Sequence, residues 1–276
     1  MKKSDFVFTW FTDYHSPILT FFAKIYSKPI YSVIGGYEVE YLPQLNYGGI
    51  KNPFRKKAIQ YSLNRATTLF PVSDYTKKRT RELIHHSRIH KIYNGIEIDP
   101  ERKMIKKENA LFLTVAHIER EQNLYIKGIP RFFSIAKAFP SDPFVLIGGK
   151  QAVIESYLGD IPSNVEIIGF QSRDALDSWY KKTCFYVQLS EVESFGLAVL
   201  EALSWGAVPI VSNRGALPEL YSEVGIVMDL ENFENELKNL PQKLQQIRNQ
   251  HKIKTFIRRF DIQRRYKQLT EFVLNP

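Results

Sequence analysis

The feature that most constrains the fold of this chain is its alternation of short β-rich runs with longer segments of helical period. In order, the runs are FVFTW, IYSVI, TLFPV, LFLTVA, FVLIGG, VEIIG, FYVQL and PIVSN. Helical patterns fall between them, for example over 127–139, 173–182 and 194–205. Strands that alternate with helices in this way predict parallel sheets built from βαβ units. The polar, turn-rich stretch NGIEIDPERKMIKKEN, residues 94–109, divides the pattern in two. The expected domains are therefore 1–100 and 101–276. The second has a complete set of strands and helices for a doubly wound domain, whereas the first has only three or four strands. Apolar residues at Phe256, Phe260, Tyr266, Leu269 and Val273 predict a closing amphipathic helix.

At 276 residues the chain exceeds what a single core readily supports, so one large or two smaller domains are expected. Its single cysteine, Cys184, excludes an internal disulfide, suits a reducing compartment and reads as core. No run approaches the roughly 18 apolar residues of a membrane span, and the start lacks a signal-peptide cleavage pattern, so a cytoplasmic location is expected. The net charge of +9 is uneven: residues 1–110 hold 19 Lys+Arg against 10 Asp+Glu, and residues 111–276 hold 19 of each.

The segment ESFGLAVLEALSWGAVPIVSNRG, residues 193–215, reads as loop, helix, strand. Gly196 falls where the helix begins, and a glycine there lets a ligand approach the backbone N–H groups that a helix start leaves unpaired. Adding the positive end of the helix dipole makes an anion site that a diphosphate fits. Glu193 precedes the helix and Glu201 lies about one turn inside it, so both face the carboxyl ends of the strands, where open α/β sheets bind ligands. Carboxylates accept hydrogen bonds from paired sugar hydroxyls and are costly to bury otherwise. The spacing fits a sugar contact for one and a ribose contact for the other, and equally a structural role for Glu201.

Residues 193–219, with Glu193, Glu201 and the FGL and PE elements, resemble the signature of retaining GT-B glycosyltransferases of the family 4 type. FPVSDYTKKR and IYNGIEID resemble the end of that family's acceptor domain, and LTVAHIEREQNLYIKGI with FVLIGG the start of its donor domain. The resemblance implies two Rossmann-like doubly wound domains, the first of them truncated. It implies that Glu193 contacts the transferred sugar and Glu201 the ribose. Phe195, Gly196 and Leu197 would bring N–H groups to the phosphates, and Lys127 would neutralise the diphosphate leaving group. It also implies no metal and no cofactor, because cationic side chains and a helix terminus replace the metal.

The departures from that pattern matter too. His117 stands where the family commonly has an arginine before the lysine, with Arg120 as a candidate substitute. A histidine carries a weaker, pH-dependent charge. The family's acceptor-side histidine is replaced by Ile34 in YSVIGGYEVEYLP. That leaves Gly35, Gly36 and upstream His15 as acceptor-side candidates, and His15 reads equally as a helix cap. The family's first βα units and glycine-rich loop have no counterpart before Met1. A protein partner completing the first domain, a later-than-true start, or lost catalysis would each account for that.

His85, His86 and His90 lack carboxylate or cysteine partners at metal-binding spacing and read as a solvated surface. Basic and aromatic residues mix in SPILTFFAKIYSKPIY, KNPFRKKAIQ and DYTKKRTRE, which suits peripheral binding to an anionic membrane face carrying a lipid-linked acceptor, while residues 17–26 also read as a core helix. No nucleic-acid motif accompanies the basic charge, so no nucleic-acid partner is expected. The reading is a metal-independent hexosyltransferase acting with retention, from a nucleotide-sugar to a saccharide or lipid-linked acceptor. The alternatives are a non-catalytic nucleotide-sugar-binding subunit of a full-length transferase and, more weakly, an epimerase on the same fold.

Overall fold

A computed structural model describes residues 3–99, 107, 110–247 and 250–274. The chain forms two compact units, Met1–Gly95 with Gln263–Pro276, and Ile96–Ile262. Much of the expected linker, residues 100–106 and 108–109, lies outside the described residues.

The first unit runs β1 (Val7–Trp10), α1 (Ser16–Ile25), β2 (Ile30–Ile34), α2 (Pro53–Arg65), β3 (Thr68–Pro71) and α3 (Asp74–Leu83). Its strands form a parallel sheet in the order β1-β2-β3. Local chemistry sets the helix starts. The Asn52 side chain accepts from the N–H groups of Phe54 and Arg55, with Pro53 at the first helical position, and Ser73 accepts from Thr76. Such caps contribute about 1 kcal/mol each. Ile30, Ile34, Ile59, Leu63 and Leu69 form the core under α2.

Helix α1 is inside out relative to the core helix expected over 17–26. It buries Ser16, Thr20 and Ala23 and leaves Ile18, Phe21, Phe22 and Ile25 exposed. The small side chains face the core, where Ala23 packs with Ile59 and Leu63 of α2.

The second unit contains β4 (Phe112–Ile118), α4 (Glu121–Ile126), α5 (Ile129–Ala138), β5 (Phe144–Gly149), α6 (Gln151–Leu158), β6 (Val165–Ile168) and α7 (Arg173–Lys182). It continues with β7 (Phe185–Gln188), α8 (Leu197–Ser204), β8 (Val208–Ser212), α9 (Leu217–Tyr221), β9 (Ile226–Met228), α10 (Phe233–Gln246) and α11 (Gln250–Ile257). The six strands are parallel in the order β6-β5-β4-β7-β8-β9. Counted from β4, this is the doubly wound order 3-2-1-4-5-6, whose direction reverses between β4 and β7. Phe112 packs face to face with Phe144 at 4.4 Å and with Phe185 at 4.8 Å, tying the three central strands together. Burying each ring contributes about 2–3 kcal/mol.

All eight expected strands are present, and β9, three residues long, adds a ninth. The expected closing helix is instead two helices, α11 and α12 (Ile262–Leu274). Between them the Ile96 N–H donates to Phe260 O (2.9 Å) and the Ile262 N–H to Ile96 O (3.0 Å), which draws the backbone out of helical pairing. Residues 263–276 belong to the first unit, not to the second as the sequence pattern has it. Two contacts explain this: the Phe272 ring lies 5.4 Å from Phe70, and buried Arg265 stacks over Trp10 and donates to the Ile92 carbonyl (3.2 Å). Cys184 is only half-buried. No described helix is long and apolar enough to cross a membrane.

Candidate active site

The reversal between β4 and β7 leaves a crevice at their carboxyl ends, and the loops that leave these strands carry most of the expected site residues. After β4 the ladder to β5 shifts register between Val115 and Ile118. His117 lies within that irregularity with its side chain exposed, its Nε2 3.1 Å from Glu119 Oε1. Arg120, also exposed, caps α4 through its backbone, its N–H donating to Asn123 Oδ1 (3.2 Å). Lys127 follows the last residue of α4.

Lys127 Nζ donates to Glu193 Oε2 at 3.0 Å, so the lysine and the first glutamate meet across 66 residues of sequence. The loops that carry them are joined by the main chain: the Glu191 N–H donates to Ile126 O (2.9 Å). A second ion pair, Arg131 to Glu191 at 2.6 Å, reinforces the junction. Glu201, in the second turn of α8, is held by Arg173 (2.8 Å) and by the Tyr180 hydroxyl, which donates to it at 3.2 Å. Each of the three acids therefore faces a cation, which offsets much of the cost of desolvating it.

Gly196 occupies the position before α8 in the left-handed region, φ 78° and ψ 58°, which favours glycine. The Val199 and Leu200 N–H groups close on Gly196 O, no side chain caps the helix, and the N–H groups of Leu197 and Ala198 come in the unpaired first turn. The Leu197 side chain is exposed, whereas Phe195 is buried with its ring 5.9 Å from Phe260. The hydroxyl of fully buried Tyr221 donates to both Phe195 O (3.1 Å) and Gly196 O (2.9 Å), fixing the turn from below. The Glu193 backbone is fixed from the other side, because its carbonyl accepts the Ala216 N–H (2.7 Å) and Gly215, at φ 60°, packs directly on it.

Burial pushes the hydroxyls of Tyr180, Tyr186 and Tyr221 up, and the glutamates nearby add to the effect. All three stay protonated donors at neutral pH. The crevice thus offers a lysine, a positively polarised helix terminus and two carboxylates, a set suited to a phosphate with a polyol attached.

Residues 95–229, which contain this whole arrangement, match the family model described as Glycosyl transferases group 1. Over that segment, just under half of its length, the chain is similar to the group 1 glycosyl transferases. A curated relative of the chain is an uncharacterized 41.2 kDa protein in the cps region of Klebsiella pneumoniae, 24% identical over 163 residues. The match spans 55% of this chain and 44% of that protein, under half of the relative's length. Among solved structures, the Anabaena protein HepE in complex with UDP and glucose superposes with a TM-score of 0.75 at 15% identity, covering 100% of this chain and 79% of that one. Sucrose-phosphate synthase from Thermosynechococcus elongatus gives a TM-score of 0.77 at 14% identity, covering 99% of this chain and 73% of that one. These likenesses show that the fold of the chain is the two-sheet α/β architecture of the GT-B kind.

In the first unit, His15 occupies the position before α1, but its exposed ring makes no capping bond. The Gly35 and Gly36 N–H groups both donate to the buried Glu38 carboxylate at 2.9 Å, so the chain's own side chain fills that loop. His86 and His90 are used locally: His86 Nε2 lies 2.8 Å from Ala66 O, and the His90 ring lies 4.5 Å from Phe272. Among the described residues no group of three or more His, Cys, Asp or Glu is placed to hold a metal ion.

Sequence reasoning did not single out Arg173, Tyr180, Tyr221 or Arg131. Their partners are far away in sequence, and an arginine or tyrosine in a helical pattern carries no local sign of the carboxylate or carbonyl it will meet.

Proposed function

We propose that this chain is a group 1 glycosyl transferase that moves a hexose from a nucleotide-sugar to a hydroxyl acceptor, with retention of anomeric configuration and without a metal ion. The observation that carries the reading is the convergence of Lys127 and Glu193, 3.0 Å apart, beside the uncapped start of α8 at Gly196. In this reading the bond from the anomeric carbon to the diphosphate oxygen breaks, and the leaving diphosphate takes the developing negative charge. Lys127 and the Leu197 and Ala198 N–H groups stabilise that charge; preorganised donors of this sort are each worth on the order of 10²–10³ in rate. Glu193 accepts from hydroxyls of the transferred sugar, and Glu201 from the ribose. The acceptor oxygen attacks from the face that the leaving group vacates and passes its proton to a donor phosphate oxygen.

The ion pairs hold both carboxylates aimed before donor arrives, and donor binding redirects Lys127 from Glu193 toward phosphate. HepE is described with UDP and glucose, so UDP-glucose is the first donor to test. Calorimetric titration with UDP-, GDP- and ADP-sugars, with Glu201→Ala as control, tests the site. Binding of one donor, lost in the variant, supports it, and no binding to any donor defeats it. A binding-only subunit is the second reading, favoured by the pairing of His117 with Glu119. Donor hydrolysis by the chain separates the two, because a binding-only subunit releases no nucleotide.

A further inference from the structure

Two cations and two acids meet where the turn between α4 and α5 lies on the loop after β7. Lys127 and Arg131 are four residues apart, and Glu191 and Glu193 are two apart. Lys127 pairs with Glu193 at 3.0 Å, and Arg131 with Glu191 at 2.6 Å. The backbone beneath them is fixed at three points. The Glu191 N–H donates to Ile126 O at 2.9 Å, and the Ser212 hydroxyl donates to Ser190 O at 2.7 Å. A methyl carbon added to Gly128 would lie 2.0 Å from Leu189 O, so the close approach of the two loops requires glycine there. Glu191 is therefore held beside the residue that precedes Lys127.

Neither member of the Arg131–Glu191 pair suits its own place. Arg131 stands in the first turn of α5, the positively polarised end of a helix, where acids are favoured and cations are not. Glu191 brings a negative charge to the loop that leads through Glu193 to the start of α8, where phosphate charge is to be held. Stability does not explain the pair: the two side chains are 28% and 24% exposed, and ion pairs open to water to that extent contribute little. Their mutual neutralisation beside an anion site does explain it.

We infer that Arg131 masks the charge of Glu191 and thereby tunes the affinity of the site for a nucleoside diphosphate. The inference rests on the donor reading proposed above. In the three ion pairs of the crevice each acid is matched by a cation, Lys127 with Glu193, Arg131 with Glu191 and Arg173 with Glu201. Without Arg131 the acids are in excess, and the diphosphate meets a net negative charge. A unit charge at roughly 9 Å from a diphosphate, about one Debye length, changes its affinity by on the order of tenfold. Arg131 acts only through Glu191, so it is a positioning residue and not a catalytic one. It also keeps Glu191 from competing with Glu193 for Lys127, which leaves the lysine a single partner to exchange for phosphate.

Removing either partner breaks the same ion pair, so a purely structural role gives losses of the same sign in both variants. Masking gives opposite signs. In calorimetric titrations of the whole chain with UDP, GDP and ADP, the diphosphate that binds wild type is expected to bind Arg131→Gln on the order of tenfold more weakly and Glu191→Gln roughly several-fold more tightly. The double variant Arg131→Gln/Glu191→Gln, and Arg131→Lys, are expected to stay within about threefold of wild type. Added salt should shrink the spread. The matching nucleoside, which carries no phosphate, should bind all the variants alike by ligand-observed NMR. Glu191→Gln exchanges one carboxylate oxygen for an amide, so it gives the sign even where Arg131→Gln does not fold. Weaker diphosphate binding in both single variants, equal binding in all, or nucleoside affinities that follow the diphosphate ones would overturn the inference. Binding of none of the three diphosphates to wild type would defeat the proposed function itself, and the masking role with it.

Discussion

Gly215→Ala tests how the position of Glu193 is set without touching any group proposed to meet the donor. A methyl carbon added at Gly215 would lie 2.2 Å from Glu193 O and 2.7 Å from Glu193 N. An ordinary carbon–oxygen contact is about 3.3 Å, so the Glu193 backbone must retreat by roughly 1 Å. The retreat stretches the 2.7 Å bond from the Ala216 N–H to Glu193 O. Losing such a bond costs about 1 kcal/mol. Holding an alanine at φ 60° costs a further 1–2 kcal/mol or so. The expected destabilisation is therefore about 2–3 kcal/mol by urea unfolding. Displacing the carboxylate by that distance loses one charged hydrogen bond to the sugar, about 1.5–3 kcal/mol, or roughly 10–100-fold in donor affinity by calorimetry. Gly159→Ala is the control for backbone strain alone, because Gly159 has φ 71° and ψ −144°, unfavourable for alanine, and a methyl group added there would meet nothing within 4 Å. It should lose about 1–3 kcal/mol and keep donor affinity. Donor affinity unchanged in Gly215→Ala would refute the reasoning.

Lys127→Ala should lower the rate of donor hydrolysis by on the order of 10²–10³ with a small change in stability, and Lys127→Arg should restore part of the rate. An equal rate in wild type and Lys127→Ala would remove the lysine from the mechanism. Tyr180, Tyr186 and Tyr221 have hydroxyls pushed up by burial, so the folded chain holds their protons where the unfolded chain, with tyrosines near pH 10, releases them. The stability this gives is full below about pH 10 and is lost as pH rises above it. Ultraviolet titration of the 15 tyrosines should therefore show a fraction that ionises only together with unfolding; smooth titration of all of them in a chain that remains folded would contradict the burial argument. Phe112→Ala removes the ring between Phe144 and Phe185 and should cost about 3–5 kcal/mol in urea unfolding. A loss below about 1 kcal/mol would mean the central strands are held by something other than that stack.

Fold class and the location of the donor-side candidates were legible because their signals are local. Every expected strand is a short apolar run between helical periods, and the switch-point chemistry of Gly196, Glu193 and Glu201 is packed into nine consecutive residues. Chain-order information of that sort survives in the sequence because neighbours in sequence remain neighbours in a helix or strand. β9 was missed because three residues carry no period, and the break before α12 because it depends on Ile96 pairing with Phe260 and Ile262 from the far end of the unit.

What the sequence by itself determined is the parallel α/β class and the glutamate and glycine pattern at the start of α8. The tertiary structure alone decided which cation meets which acid: Lys127 with Glu193, Arg131 with Glu191 and Arg173 with Glu201. It also decided that α1 turns its large side chains outward, though their helical spacing reads as a core face. Periodicity shows that a helix has an apolar stripe. Which face is buried depends on what the rest of the chain places beside it, and on α1 it is the small-residue face that meets the core with α2.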